Sequence, residues 1–139
     1  MSPSISVTKR EAITAAVRHS VRETSVYDIH THLYDPAFGE LLLWGIDDQL
    51  VYHYLVAEAF RHFDIGYDDF WRLAKEDQAQ MIWDALFVEN SPLSEACRGV
   101  LTVLNRLGLD ANQRDLPGIR NWFAEQDPND YITRCMELA

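Results

Sequence analysis

Cysteine is nearly absent from this sequence. The two that occur, Cys97 and Cys135, lie far apart and form no C-x-x-C pattern. Both sit in apolar stretches of helical pattern, which predicts buried free thiols in a reducing compartment; a single disulfide is the less favoured alternative. Cationic side chains are also scarce. Twelve Lys and Arg stand against 22 Asp and Glu, a formal charge of −10. Nucleic-acid binding rests on clustered cations, and no basic stripe interleaved with aromatics is present, so a nucleic-acid partner is excluded. The acidity reads as a solvated surface. The N-terminus lacks the apolar core of a signal peptide, because Ser, Thr, Lys, Arg and Glu interrupt it. The longest apolar run falls far short of the roughly 18 residues that cross a membrane. Internal repeats and low-complexity segments are missing too. These absences predict a soluble, cytoplasmic protein with no membrane partner.

What is there argues for a packed core. Apolar residues make up 47% of the 139, with four Trp, six Tyr and six Phe, which suits a single globular domain. Thr8 to Glu11 fits a capping box. Ile13, Ala16, Val17, Ser20 and Val21 then recur at helical spacing, predicting a helix over 9–22. The run from Phe38 to Gly45 is apolar and short, and reads either as a buried loop or as a short helix over a site. Asp47 or Asp48 is predicted to cap a long helix reaching about Phe63. His53 and Tyr54 would sit inside it, a polar pair on an apolar face, where an unsatisfied buried group costs about 1–3 kcal/mol. Asp68 is predicted to cap the next helix, with Phe70, Trp71, Leu73 and Ala74 on its buried side. Lys75 to Asp77 reads as a solvated junction, and helical spacing continues to about Val88. Ser91-Pro92 reads as an N-cap followed by proline at the first helical position. Leu93, Ala96, Cys97, Val100, Leu104 and Leu107 form the stripe of that helix, read as core, with Gly108 closing it. Pro117 and Asp127-Pro128 are predicted to open two further helices.

One stretch breaks the helical pattern. Val26-Tyr27-Asp28-Ile29-His30-Thr31-His32-Leu33 contains good strand formers. In a strand His30 and His32 point to one side, about 7 Å apart. Two such imidazoles can grip a divalent ion or a small polar substrate. Pairs of histidines two apart also arise by chance on exposed strands. This pair, however, ends an apolar strand, with Asp28 before it and a turn at Asp35-Pro36 after it. A lone strand needs neighbours for its backbone groups, and the final helix reaches Ala139 without Gly, Asn or Pro to stop it. The sequence is therefore predicted to be the first part of a longer protein that carries the other strands.

A helix followed by a strand ending D-I-H-T-H-L resembles the first barrel strand of the amidohydrolase superfamily, and more narrowly its uronate (glucuronate) isomerase branch. In that branch a long helical insertion follows the first strand. His53-Tyr54 falls where those isomerases carry a His-Tyr pair. Asn90-Ser91-Pro92-Leu93, with the helix ending Arg106 to Asp110, and the segment Asp130 to Met136 match further stretches, so the resemblance runs from about residue 26 to 139. Tyr52 stands where the branch has an acidic residue, Leu55 where it has a lysine, and the run Leu41 to Ile46 is more apolar than its arginine-bearing equivalent.

The resemblance implies a chain that is mostly α, forming the N-terminal portion of a (β/α)8 barrel. Residues 1–36 would hold the first helix and first strand, and 37–139 the helical insertion. It implies interconversion of an aldose uronate and its keto form by proton transfer through an enediol. His53 and Tyr54 would be the catalytic residues. His30 and His32 would bind one divalent metal, with zinc the first choice; two ligands are an incomplete set. The partner would be a small sugar acid, and a homo-oligomer stays open. Two rivals remain: a metal-dependent hydrolase of the same superfamily, and a non-enzymatic helical interaction module.

Overall fold

A helix forms where the Ile13, Val17 and Val21 spacing predicts one: α1, Arg10–Glu23. Glu11 in its first turn and Arg22 in its last both complement the helix dipole. None of its residues is buried, so the stripe that the spacing marks as apolar is not core. The computed structural model describes residues 10–26 and 34–138. Thr8, and the predicted strand from Tyr27 onward with His30 and His32, lie outside the described residues. The chain divides into two compact units, Met1–Thr31 and His32–Ala139. The described residues are mostly α-helical and include no strand.

The second unit opens on a 3-10 turn, Pro36–Leu41, capped by Asp35, whose Oδ1 accepts from the Ala37 amide at 2.8 Å. Gly39 interrupts it at φ 58, a left-handed geometry suited to glycine. The ambiguous apolar run is thus a short turn leading into a packed extended segment. Leu42 is buried, and Trp44 meets Tyr131 edge-on at 5.1 Å.

The single long helix predicted from Asp47 to about Phe63 is instead two: α2, Gly45–Leu50, and α3, His53–Ala59. Val51 ends the first, and Tyr52 is extended (φ −73, ψ 141) before the second. Neither aspartate is the N-cap. Asp48 accepts from the Trp44 amide at 3.1 Å and pairs with Lys75, while Asp47 pairs with Arg120.

Gly66, not Asp68, precedes α4, Tyr67–Arg72. Phe70 is fully buried against Phe60 and Phe63, whereas Trp71 and Ala74 are exposed, contrary to the predicted buried side. Adjacent residues point about 100° apart on a helix, so Phe70 facing the core turns Trp71 away from it. Helix α5, Lys75–Trp83, runs into a π-helical turn, Asp84–Val88. Its buried Gln78 donates to the carbonyls of Phe70 (3.2 Å) and Leu73 (3.0 Å) at the end of α4, where the Phe70 carbonyl also accepts from the Leu73 amide at 3.1 Å.

Helix α6, Glu95–Arg106, starts at Ser94 rather than at Ser91-Pro92. The Ser94 hydroxyl accepts from the Cys97 amide at 3.1 Å. Leu93 consequently lies outside the helix and is exposed, while Cys97, Val100, Leu104 and Leu107 are core as predicted. Gly108, at φ 84, closes α6. Its amide bonds to the Asn105 carbonyl at 3.0 Å, and the Leu109 amide bonds to Leu104 at 2.8 Å. Helix α7, Leu116–Ala124, has Asp115 as its cap and Pro117 in its first turn. At Gly118 an added Cβ would stand 2.1 Å from Asp115 Oδ2, so a larger residue there would make the capping carboxylate turn. Helix α8 is Pro128–Leu138, and Asp127 accepts from the amides of Asn129 (2.8 Å) and Asp130 (3.2 Å).

Packing follows from these starts. Helix α2 lies against α5 and α7, and α3 against α5 and α6. Arg120 on α7 ties the layers together. Its Nε donates to Asp47 at 2.9 Å, and its Nη2 donates to the Glu76 carbonyl at 2.8 Å. Both partners of this ion pair are largely shielded, and the one Nε reaches both Asp47 oxygens, so it is worth more than the exposed Arg72–Asp69 pair, a class that contributes about 0–1 kcal/mol.

Candidate functional site

The break between α2 and α3 decides where the candidate catalytic pair sits. His53 is the first residue of α3 and Tyr54 the second. Both are exposed, Tyr54 to 62%. The polar pair therefore does not carry the desolvation cost expected of a buried helix face; it stands at a helix start, open to solvent. Leu55 and Val56, the next two residues, are the ones that enter the core.

Beside this pair runs a groove of about 500 Å³. Its walls include Leu43, Leu55 and Val100, with Tyr52 and Tyr54 at one side and Gln49, Tyr131 and Cys135 at another. The rings of Tyr52, His53 and Tyr54 form a cluster. His53 lies 4.2 Å from Tyr52 and 4.1 Å from Tyr54, and the two tyrosines are 5.6 Å apart. Tyr52 is half-buried, and its phenol is held above the ordinary tyrosine value, first by desolvation and then by the charges of Tyr54 and Tyr34. Burial likewise pushes up Tyr131. Its hydrogen bond to Cys135 and that thiol's charge add to the rise, and a bond with Gln49 offsets part of it. The Cys97 thiol is raised by burial too, partly relieved by Ser94.

Of the four residues singled out in the sequence, the described structure places His53 and Tyr54 side by side. His30 and His32 lie outside it. Among the described residues no three His, Cys, Asp or Glu side chains stand close enough to hold a metal ion. Both cysteines are free, and Cys97 is buried as predicted, but Cys135 is only half-buried because it lines the open groove. No described helix is long and apolar enough to cross a membrane. Sequence reading missed the groove itself. The i, i+4 pair Tyr131 and Cys135 on α8 was its legible signal, two polar-tipped side chains on one helix face.

Over 96% of its length the chain is similar to a solved uronate isomerase from Bacillus halodurans C-125, with 47% sequence identity and a TM-score of 0.80. The chain is uronate-isomerase-like. It spans about a third of that solved chain, 32%. No family model matches it, and no curated protein does. The resemblance carried by D-I-H-T-H-L, His53-Tyr54 and the Asn90 to Leu93 segment is borne out by this similarity. The helices of the uronate-isomerase-like chain, α2 to α8, fall within the stretch that the resemblance assigns to a helical insertion.

Proposed function

We propose that the protein carrying this chain interconverts an aldose uronate and its keto form. The observation that carries the reading is 47% identity over 96% of the chain to a uronate isomerase. The chemistry moves one proton between adjacent carbons, so it needs an acid–base group within reach of the substrate. His53 is that group, with Tyr54 beside it as partner; their exposure at the start of α3 leaves both open to a ligand. The sugar acid is the substrate. The complete protein is a (β/α)8 barrel, and residues 1–36 supply its first helix and strand while 37–139 form the helical insertion. Active sites of that fold sit at the C-terminal ends of the strands, which puts His30 and His32 at the barrel mouth.

The two imidazoles suit a divalent ion, zinc first, and further ligands would have to come from outside the described residues. When bound, such an ion polarises a carbonyl oxygen. His30 and His32 hold and orient; His53 moves the proton.

The test is turnover of D-glucuronate by the product of the complete reading frame, with metal content read on the same sample. Formation of the keto sugar acid is expected, falling by about 10²-fold or more in His53→Ala. Unchanged turnover in folded His30→Ala and His53→Ala proteins would remove the site assignment.

A further inference from the structure

We propose that Tyr52 is a positioning residue that fixes the ring of His53. The inference rests on the reading of His53 as the proton-transferring group, and it arises from the break between α2 and α3. Tyr52 is not on the helix: its backbone is extended at φ −73, ψ 141. From there its ring reaches the His53 imidazole at a centroid distance of 4.2 Å, tilted by 54°. The same ring meets Tyr54 nearly edge-on at 5.6 Å.

Tyr52 is suited to hold rather than to react. It is half-buried in the groove wall beside Leu55, whereas His53 is exposed. An exposed imidazole at a helix start has several rotamers open to it. Contact with a ring anchored in the groove, and with Tyr54 at 4.1 Å on another side, restricts that choice. Proton transfer is sensitive to placement, and orientation by a neighbour is one way to secure it. The contact is made by the aromatic faces and edges of the rings, so the ring of Tyr52 is what the role requires.

The experiment follows the His53 ring protons by NMR across a pH titration, in wild type, Tyr52→Phe and Tyr52→Leu. Leucine keeps an apolar groove wall without a ring. Expected is a ring-current displacement of the His53 signals in wild type and Tyr52→Phe that shrinks in Tyr52→Leu to the part Tyr54 contributes. In the complete protein kcat falls by about 10- to 100-fold in Tyr52→Leu, KM changes much less, and Tyr52→Phe restores turnover. His53 signals identical in wild type and Tyr52→Leu, or a Phe variant that behaves as the Leu variant does, overturn the proposal. Should Tyr52→Leu not fold, Tyr52→Met is read in the same way. Loss of uronate turnover in wild type would sink the isomerase reading alone, because the His53 spectra decide the contact independently.

Discussion

Tyr131 puts a phenol into the groove wall with only 6% of its surface exposed. Burial is the main reason its ionisation is pushed up, and the bond to Cys135 adds to it. An acid whose folded value is raised stays protonated in the folded chain while the unfolded chain has begun to ionise. Its contribution to stability is therefore complete below the unfolded value of about 10 and lost as pH rises toward the folded value. Urea midpoints measured between pH 9 and pH 11 should fall more steeply in wild type than in Tyr131→Phe; parallel curves would remove Tyr131 as the cause. At this scale the sequence reveals type better than environment. His53 and Tyr54 are identifiable as a polar pair, but the spacing around them suggests burial. Their exposure depends on a backbone break two residues upstream of Tyr54.

Helix starts show the same limit at the scale of elements. Ser91-Pro92 carries the stronger local signal, yet Ser94 makes the cap. Both serines can accept from an amide three residues on. The choice goes to the register that buries Cys97, Val100 and Leu104, and starting at Ser94 leaves Leu93 outside. Ser94→Ala should cost about 1 kcal/mol in chemical denaturation, and Ser91→Ala less than about 0.5 kcal/mol. Equal losses would put the cap elsewhere. The division of the expected long helix into α2 and α3 has a similar origin. Asp47 and Asp48, which local pattern offers as caps, are engaged by Arg120 and Lys75 from α7 and α5. By contrast Asp127, Gly108 and the two prolines at 117 and 128 act where local pattern puts them, because their effect is confined to one turn.

For the molecule as a whole, stability is unevenly distributed. The buried cluster includes Phe70, Ile82, Trp83, Leu86 and Leu104, all in the unit that begins at His32. Within it Trp83 stacks on Phe87 at 4.8 Å, and its indole N–H has no partner among the described residues. Hydrogen exchange should reflect the depth of that cluster. Amides around Ile82, Leu86 and Leu104 are expected to be the slowest, and that of exposed Leu93, outside α6, to be fast. Equal rates at Leu93 and Leu104 would contradict it.

The mostly helical class, the position of most helices, the core stripe of α6, the free cysteines and the likeness to uronate isomerases were all determined by the sequence alone. These depend on residue type at fixed spacing: apolar periodicity, caps within one turn, and short motifs. The tertiary structure alone decided that α2 and α3 separate at Val51-Tyr52, that His53 and Tyr54 face solvent, that Tyr52 meets the imidazole, and that Gln49, Tyr131 and Cys135 share a groove with Tyr52 and Tyr54. The physical reason is common to all four. Each depends on which of several locally acceptable arrangements lets distant helices bury their apolar sides and pair their buried polar groups, and that competition is settled between elements, not within them.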